Sequence, residues 1–263
     1  ARAWPEKGRV LLSTLEHHSN IVPWQLAGWQ IDVCPLTSDG RIDLDAAEAM
    51  LTPEHRIVSF AHVSNVLGSL LDAPRAAALA HRVGAKLLLD GCQAVARLPV
   101  DVAALGCDFY AFSAHKLYGP TGIGALWGRA ELLDAMPPWQ GGGAMIDKVS
   151  FAGTTYAAPP QRFEAGTPAI TEAITFGAAV DYVESIGLGH IHADAQPRER
   201  ELLAVDRIAG GDEQGDQSLC HCWRTAERLD KGGKTIANPC LTQIAKGRPQ
   251  PNDRLWIQPG ADH

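Results

Sequence analysis

Four short apolar runs in this 263-residue chain each end on a compact group of polar residues, and this repeated punctuation limits the folds open to it. Residues 10–15 run into Glu16-His17-His18, and residues 57–61 into His62-Val63-Ser64-Asn65. Residues 86–89 run into Asp90-Gly91-Cys92-Gln93, and residues 109–112 into Ser113-Ala114-His115-Lys116. Short apolar runs bounded by turn signals read as buried strands. Helical patterns lie between them. Asp43 opens one that stops before Pro53; Pro74 stands in the first turn of another, Ala-rich to Val83 and ended by Gly84. Strand alternating with helix from residue 10 to about 190 predicts an α/β fold, a mostly parallel sheet with helices on both faces. Ligands bind such sheets in the crevice beyond the carboxyl ends of the strands. The four polar groups are therefore expected to meet at one site.

The longest helical pattern begins at Thr167-Pro168 and carries Ala173, Phe176, Ala179, Val180 and Val183 to a stop at Gly187. Thr167 is its expected N-cap. Before it, residues 139–166 hold Gly141-Gly142-Gly143, Thr154-Thr155 and Pro159-Pro160, which predicts an irregular excursion with a hairpin laid over the sheet. After Asp194 the chain turns rich in Gln, Arg, Asp, Gly and Pro without a sustained apolar period. The expected organisation is a core over residues 1–194 and a largely irregular tail over 195–263, with one short helix at 202–208. The start, without an initiator methionine and almost directly on a strand, reads as that of a fragment.

Composition removes several functional classes. A net charge of −7 argues against a nucleic-acid surface. No run reaches the roughly 18 apolar residues of a membrane span. Cys34, Cys92, Cys107, Cys220, Cys222 and Cys240 follow no framework spacing, so free thiols in a reducing cytoplasm are expected. His190-Ile191-His192 and Cys220-His221-Cys222 lack the second half that a structural zinc site needs. The glycines from Gly119 to Gly124 match neither the dinucleotide nor the P-loop pattern.

A lysine, an acid, an amide and histidines at one crevice form the chemistry set of a lysine-anchored aldehyde cofactor, with pyridoxal 5'-phosphate (PLP) the first candidate. Lys116, just past a buried strand, is placed for partial desolvation, which makes an amine a nucleophile. A lysine at a strand end is otherwise usually solvated. Asp90 directly follows Leu87-Leu88-Leu89 and needs a partner, which a protonated pyridine nitrogen supplies; its ordinary alternative is to cap the next turn. Gln93 could donate to the cofactor's phenolate oxygen, and Asn65 to the same oxygen or to substrate. His17 or His18 could stack on the ring or shuttle protons. Ser113, His115 and Thr167 suit a phosphate, Thr167 through the helix N-terminus it is expected to head.

Six segments in this order also resemble a known family: STLEHHSNIVPWQ, HVSNVLG, LLLDGCQAV, LPVDVAALGCDFYAFSAHKLYGPTGIGALWG, MPPWQGGGAMI and RFEAGTPAI. Together they resemble the PLP-dependent cysteine desulfurases of the SUF type, related to selenocysteine lyases, within the class V aminotransferases. The resemblance covers about residues 8–190. It implies the large domain of the aspartate aminotransferase-like PLP-dependent transferase fold. It also implies conversion of L-cysteine to L-alanine, with sulfur passed as a persulfide to an acceptor protein of iron–sulfur cluster assembly. By resemblance Lys116 would anchor the cofactor and shuttle protons, His17 would stack on the ring, and Asp90 would pair with its nitrogen. Gln93 and Asn65 would contact the phenolate oxygen. Ser113 and His115 would hold the phosphate, joined by Thr167 from the other subunit of a homodimer, whose partner-facing loop would be residues 141–166.

The family also carries an N-terminal segment and a small C-terminal domain with the persulfide-forming cysteine and a carboxylate-binding arginine. The resemblance stops near His192, and neither Cys220 nor Cys222 stands in the family's motif. Cys92 stands where the family usually has a small residue and reads as an apolar filler. Selenocysteine lyase, another class V activity and a catalytically silent PLP-binding fragment remain open alternatives.

Overall fold

The computed structural model describes residues 7–191 and the backbone of a strand at 253–259. In chain order the elements are β1 (Arg9–Ser13), α1 (Val22–Leu26), β2 (Gln30–Cys34), α2 (Leu44–Met50), β3 (His55–Ala61), α3 (Ala73–Arg82) and β4 (Lys86–Asp90). There follow α4 (Val102–Leu105), β5 (Phe109–Ser113), β6 (Ile123–Arg129), α5 (Ala130–Ala135), β7 (Ile146–Ser150), β8 (Gly153–Tyr156), α6 (Ile170–Ile186) and β9 (Asp253–Pro259). The main sheet runs β2-β1-β3-β4-β5-β6-β9. Strands β1 to β5 are parallel, β6 is antiparallel to β5, and β9 is antiparallel to β6.

All four expected strands form, as β1, β3, β4 and β5. Alternation within β1 sends its residues to opposite faces, as a two-residue period requires. Val10 and Leu12 pack with Trp24, Trp29 and Ile57. Leu11 joins Val58, Phe60, Leu87, Leu89 and Tyr110 in the larger core. The sheet is thus covered on both sides. Helix starts follow the local chemistry: Asp43 accepts from the N–H groups of Asp45 and Ala46 at α2, and Asp72 from that of Arg75 at α3. Gly84, at φ +81°, supplies the left-handed residue that follows α3.

Two expectations change. Thr167 does not cap α6. The N-cap is Ala169, at φ −72° and ψ 74°, and the Ile170 N–H bonds the Pro168 carbonyl at 2.8 Å. These are the marks of an inverse γ-turn, which delays the helix by two residues. Residues 146–156 do form a hairpin, but β7 and β8 make their own two-stranded sheet, exposed almost throughout. It projects from the body instead of lying over the main sheet. From the tail, residues 253–259 contribute β9 to the sheet; the division at residue 194, the helix at 202–208, and Cys220, Cys222 and Cys240 lie outside the described residues.

Candidate active site

Because the chain passes from β1 outward to β2 and then back across to β3, the sheet has its switch point between β1 and β3. A crevice opens at the carboxyl ends of strands at such a point. The loops bearing His17 and Asn65 leave the two strands that flank it. Sheet register carries Asp90 and the Lys116 segment to the same edge: Ala61 pairs with Asp90, and Asp90 with Ala111. Two backbone bonds continue this alignment past the strand ends, from the His62 N–H to the Asp90 carbonyl at 2.9 Å and from the Gly91 N–H to the Ala111 carbonyl at 2.8 Å.

Asp90 is half-buried, and one carboxylate oxygen accepts from the Cys92 N–H at 2.9 Å, closing a turn. The ordinary alternative for this residue, closing the next turn, is thereby realised. It forms no ion pair among the described residues. A half-buried carboxylate without a cation suits a cationic ring nitrogen. Gln93 follows, half-buried.

Lys116 rises from a 3₁₀ turn over Ala114–Leu117, directly after β5. Ala114 and Leu117 are buried, which pins the turn, and Tyr118 ends it in the left-handed region at φ 58°. Gly119 lets the turn sit under α6: a Cβ there would lie 2.8 Å from the Phe176 ring and 3.0 Å from the Ala114 carbonyl oxygen. Lys116 is left half-buried, with His115 beside it exposed. Ser113 is half-buried, its hydroxyl 3.9 Å from the Cys92 sulfur.

His17 caps a 3₁₀ turn over His18–Asn20. Its Nδ1 accepts the Ser19 N–H at 3.2 Å and lies 2.8 Å from the Ser19 hydroxyl. A backbone N–H can only donate, so the neutral ring carries its proton on Nε2. The imidazole's pKa is lowered, by partial burial first and then by the positive charge of Lys116, against an opposing pull from Asp90. His17 follows β1, Asp90 ends β4 and Lys116 follows β5, all at the carboxyl edge of the sheet.

The other expected residues divide. Asn65 is exposed in a turn that Ser64 organises by accepting the Val66 and Leu67 N–H groups. Thr167 is exposed on a separate recess of about 180 Å³, lined among others by Ile123, Glu164, Gly166 and Ala173. Within one chain that recess includes none of the other expected site residues.

Two buried supports went unnoticed in the sequence. Tyr110, 1% exposed, has its hydroxyl 3.0 Å from His62 Nδ1, and its ring lies against Gly91 so closely that a Cβ there would fall 2.0 Å from Cε1. Burial lowers the His62 pKa to about 4 and raises that of Tyr110. Glu16, beneath His17, is buried among hydrogen-bond donors. One signal was available for each: a polar residue at an inward position of an apolar strand, Tyr110 in β5 and Ser59 in β3, needs a buried partner.

Burial pushes the thiols of Cys34 and Cys92 up to about 11 and that of Cys107 to about 12. None of the three is a ready thiolate. Among the described residues no group of three or more His, Cys, Asp or Glu side chains could hold a metal ion, and no helix is long and apolar enough to cross a membrane.

Residues 1–209 match the model of the aminotransferase class-V family. A cysteine desulfurase of Dickeya dadantii (strain 3937) is 53% identical over 200 residues, 74% of this chain and 48% of that protein. The chain thus spans about half the length of this curated relative. Among solved structures, the cysteine desulfurase CsdA of Escherichia coli, in an S-sulfonic acid form, aligns with a TM-score of 0.70 at 40% identity, over 78% of this chain and 52% of its own. A C-DES variant with glycine covalently linked to its PLP cofactor aligns with a TM-score of 0.59 at 26% identity, over 66% and 48%.

Proposed function

This chain belongs to the class V aminotransferase family, and on that premise we propose that it is the cofactor-carrying core of a SUF-type, PLP-dependent cysteine desulfurase. The observation that carries the reading is that sheet order and register bring His17 after β1, Asp90 at the end of β4 and Lys116 after β5 to the carboxyl edge of one sheet, beside its switch point. PLP bound there supplies an electron sink that acidifies the substrate's α-carbon. Lys116 Nζ would hold the cofactor through its aldehyde and would be the base placed to take up the α-proton of L-cysteine. Asp90 would pair with the protonated ring nitrogen. His17 would stack on the ring, with its Nε2–H directed away from its own turn. Gln93 and Asn65 orient the phenolate oxygen and substrate, and Ser113 and His115 hold the phosphate.

Thr167 completes that phosphate site from a second copy in a homodimer, in keeping with its exposure and its distinct recess. Residues 1–194 form the large-domain core, and residues 195–263 are a divergent tail. The chemistry ends with alanine release and sulfur held as a persulfide, passed in the cytoplasm to an acceptor protein of iron–sulfur assembly. The raised thiols of Cys34, Cys92 and Cys107 argue that the sulfur-accepting thiolate is none of these.

Absorbance tests the reading. Purified chain incubated with PLP should gain a visible band that a Lys116→Ala variant lacks, and sulfide should then be released from L-cysteine. No band from soluble, folded chain overturns cofactor binding. Release from selenocysteine but not from cysteine moves the activity to a lyase of that substrate.

A further inference from the structure

We infer that Glu16 is a positioning residue for His17: its buried carboxylate clamps the turn that carries the imidazole and fixes the ring's orientation and tautomer. The inference rests on the reading that His17 works at the cofactor face, and it adds a residue to which that reading assigns no role.

Glu16 is 8% exposed. One oxygen accepts from the Ser13 hydroxyl at 2.5 Å and from the Ala61 N–H at 3.0 Å; the other accepts from the Asn20 side-chain amide at 2.6 Å. Asn20 continues the chain of bonds, its carbonyl oxygen accepting from the Ser59 hydroxyl at 2.7 Å and from the Trp24 indole N–H at 3.3 Å. Residues 16 and 20 bracket His17. Through these five bonds both brackets are fixed to the ends of β1 and β3 and to α1.

A buried carboxylate is unfavourable unless donors surround it. Here every donor lies on a segment that ends beside the His17 turn, so the acid holds that turn from below. Inside the clamped turn the Ser19 N–H reaches His17 Nδ1 and leaves the proton on Nε2. A free loop histidine would sample both tautomers and several ring tilts. The clamp leaves one.

Glu16→Gln tests this at constant size. The new amide group must face either the Asn20 amide or the Ser13 and Ala61 donors, so one arm of the clamp opens. The readout is the nitrogen NMR of histidine in the full, cofactor-free chain, with His18→Gln to assign the neighbouring ring. The parent should show His17 as the Nε2–H tautomer, titrating below the free imidazole. The Glu16→Gln variant, with an unchanged far-ultraviolet dichroism spectrum, should show both tautomers and a midpoint moved up toward ~6.5. Ser13→Ala removes one donor of three and should move both signatures the same way by less; it decides the matter if Glu16→Gln fails to fold. If His17 keeps its tautomer and midpoint in the folded variants, Glu16 is only a buttress and the inference is overturned. Because no cofactor is present, a missing PLP band counts against the functional reading and not against this one.

Discussion

Two aspartates at opposite ends of the β4–β5 pair are treated in opposite ways. Asp108 precedes β5 with its side chain 3% exposed, accepting from the Leu87 N–H at 2.8 Å and His81 Nε2 at 2.7 Å. Arg129 Nε lies 3.4 Å away and Lys86 Nζ 4.0 Å. Every side of that carboxylate is answered by the protein. Asp90 ends β4 half-buried, with one backbone donor and no cation. A saturated acid is part of the scaffold, whereas an acid left short of partners at the ligand end of a sheet keeps its charge available to something that arrives later.

That contrast can be broken at four places. Asp108→Asn should destabilise most, by about 3 kcal/mol in urea unfolding, because the buried side chain loses its charge and can no longer accept from both the Leu87 N–H and His81 Nε2. The chain that still folds should gain the PLP band normally. Next comes acid. His62 is 4% exposed and its pKa falls from 6.5 unfolded to about 4 folded, so the unfolded chain binds the extra proton between those values. Stability is complete above pH 6.5 and falls as pH drops to 4, by about 3 kcal/mol at roughly 1.4 kcal/mol per unit. In thermal melts across that window His62→Asn, which retains an acceptor for Tyr110, should lose this part of the slope. Gly91→Ala should cost about 1–3 kcal/mol by overpacking, since the new Cβ meets the Tyr110 ring, and PLP binding should weaken with it as the Asp90 turn shifts. Asp90→Asn should be mildest on stability, within about 1 kcal/mol. It should nevertheless abolish turnover while leaving the Lys116 attachment detectable by mass after reduction. An Asp90→Asn chain as unstable as Asp108→Asn would erase the distinction between the two acids.

The parts of this arrangement visible in the sequence are those decided locally. Asp43 and Pro74 mark helix starts because capping needs only the next three residues, and β1, β3, β4 and β5 are legible because each is a short apolar run. Lys116 and Asp90 stand out as polar residues immediately past such runs. Thr167 misled because Thr-Pro is a good helix opening in isolation, while the actual start was set by the γ-turn at Ala169. The hairpin's projection from the body depends on what its faces lack, which no turn signal encodes. The Glu16 clamp joins residues 13, 16, 20, 59 and 61. The Tyr110 support joins 62, 91 and 110. Such networks exist only once the strands are side by side, so single-residue readings pass over them.

The contact between Gly91 and Tyr110 has a consequence for descent. With a ring atom 2.0 Å from where a first side-chain carbon would sit, any side chain at position 91 must displace the Tyr110 ring. A lineage enlarges residue 91 without that displacement once residue 110 is smaller, and reducing residue 110 strips His62 of its hydroxyl partner. The three positions are thereby bound into a single heritable unit, to be kept or exchanged together.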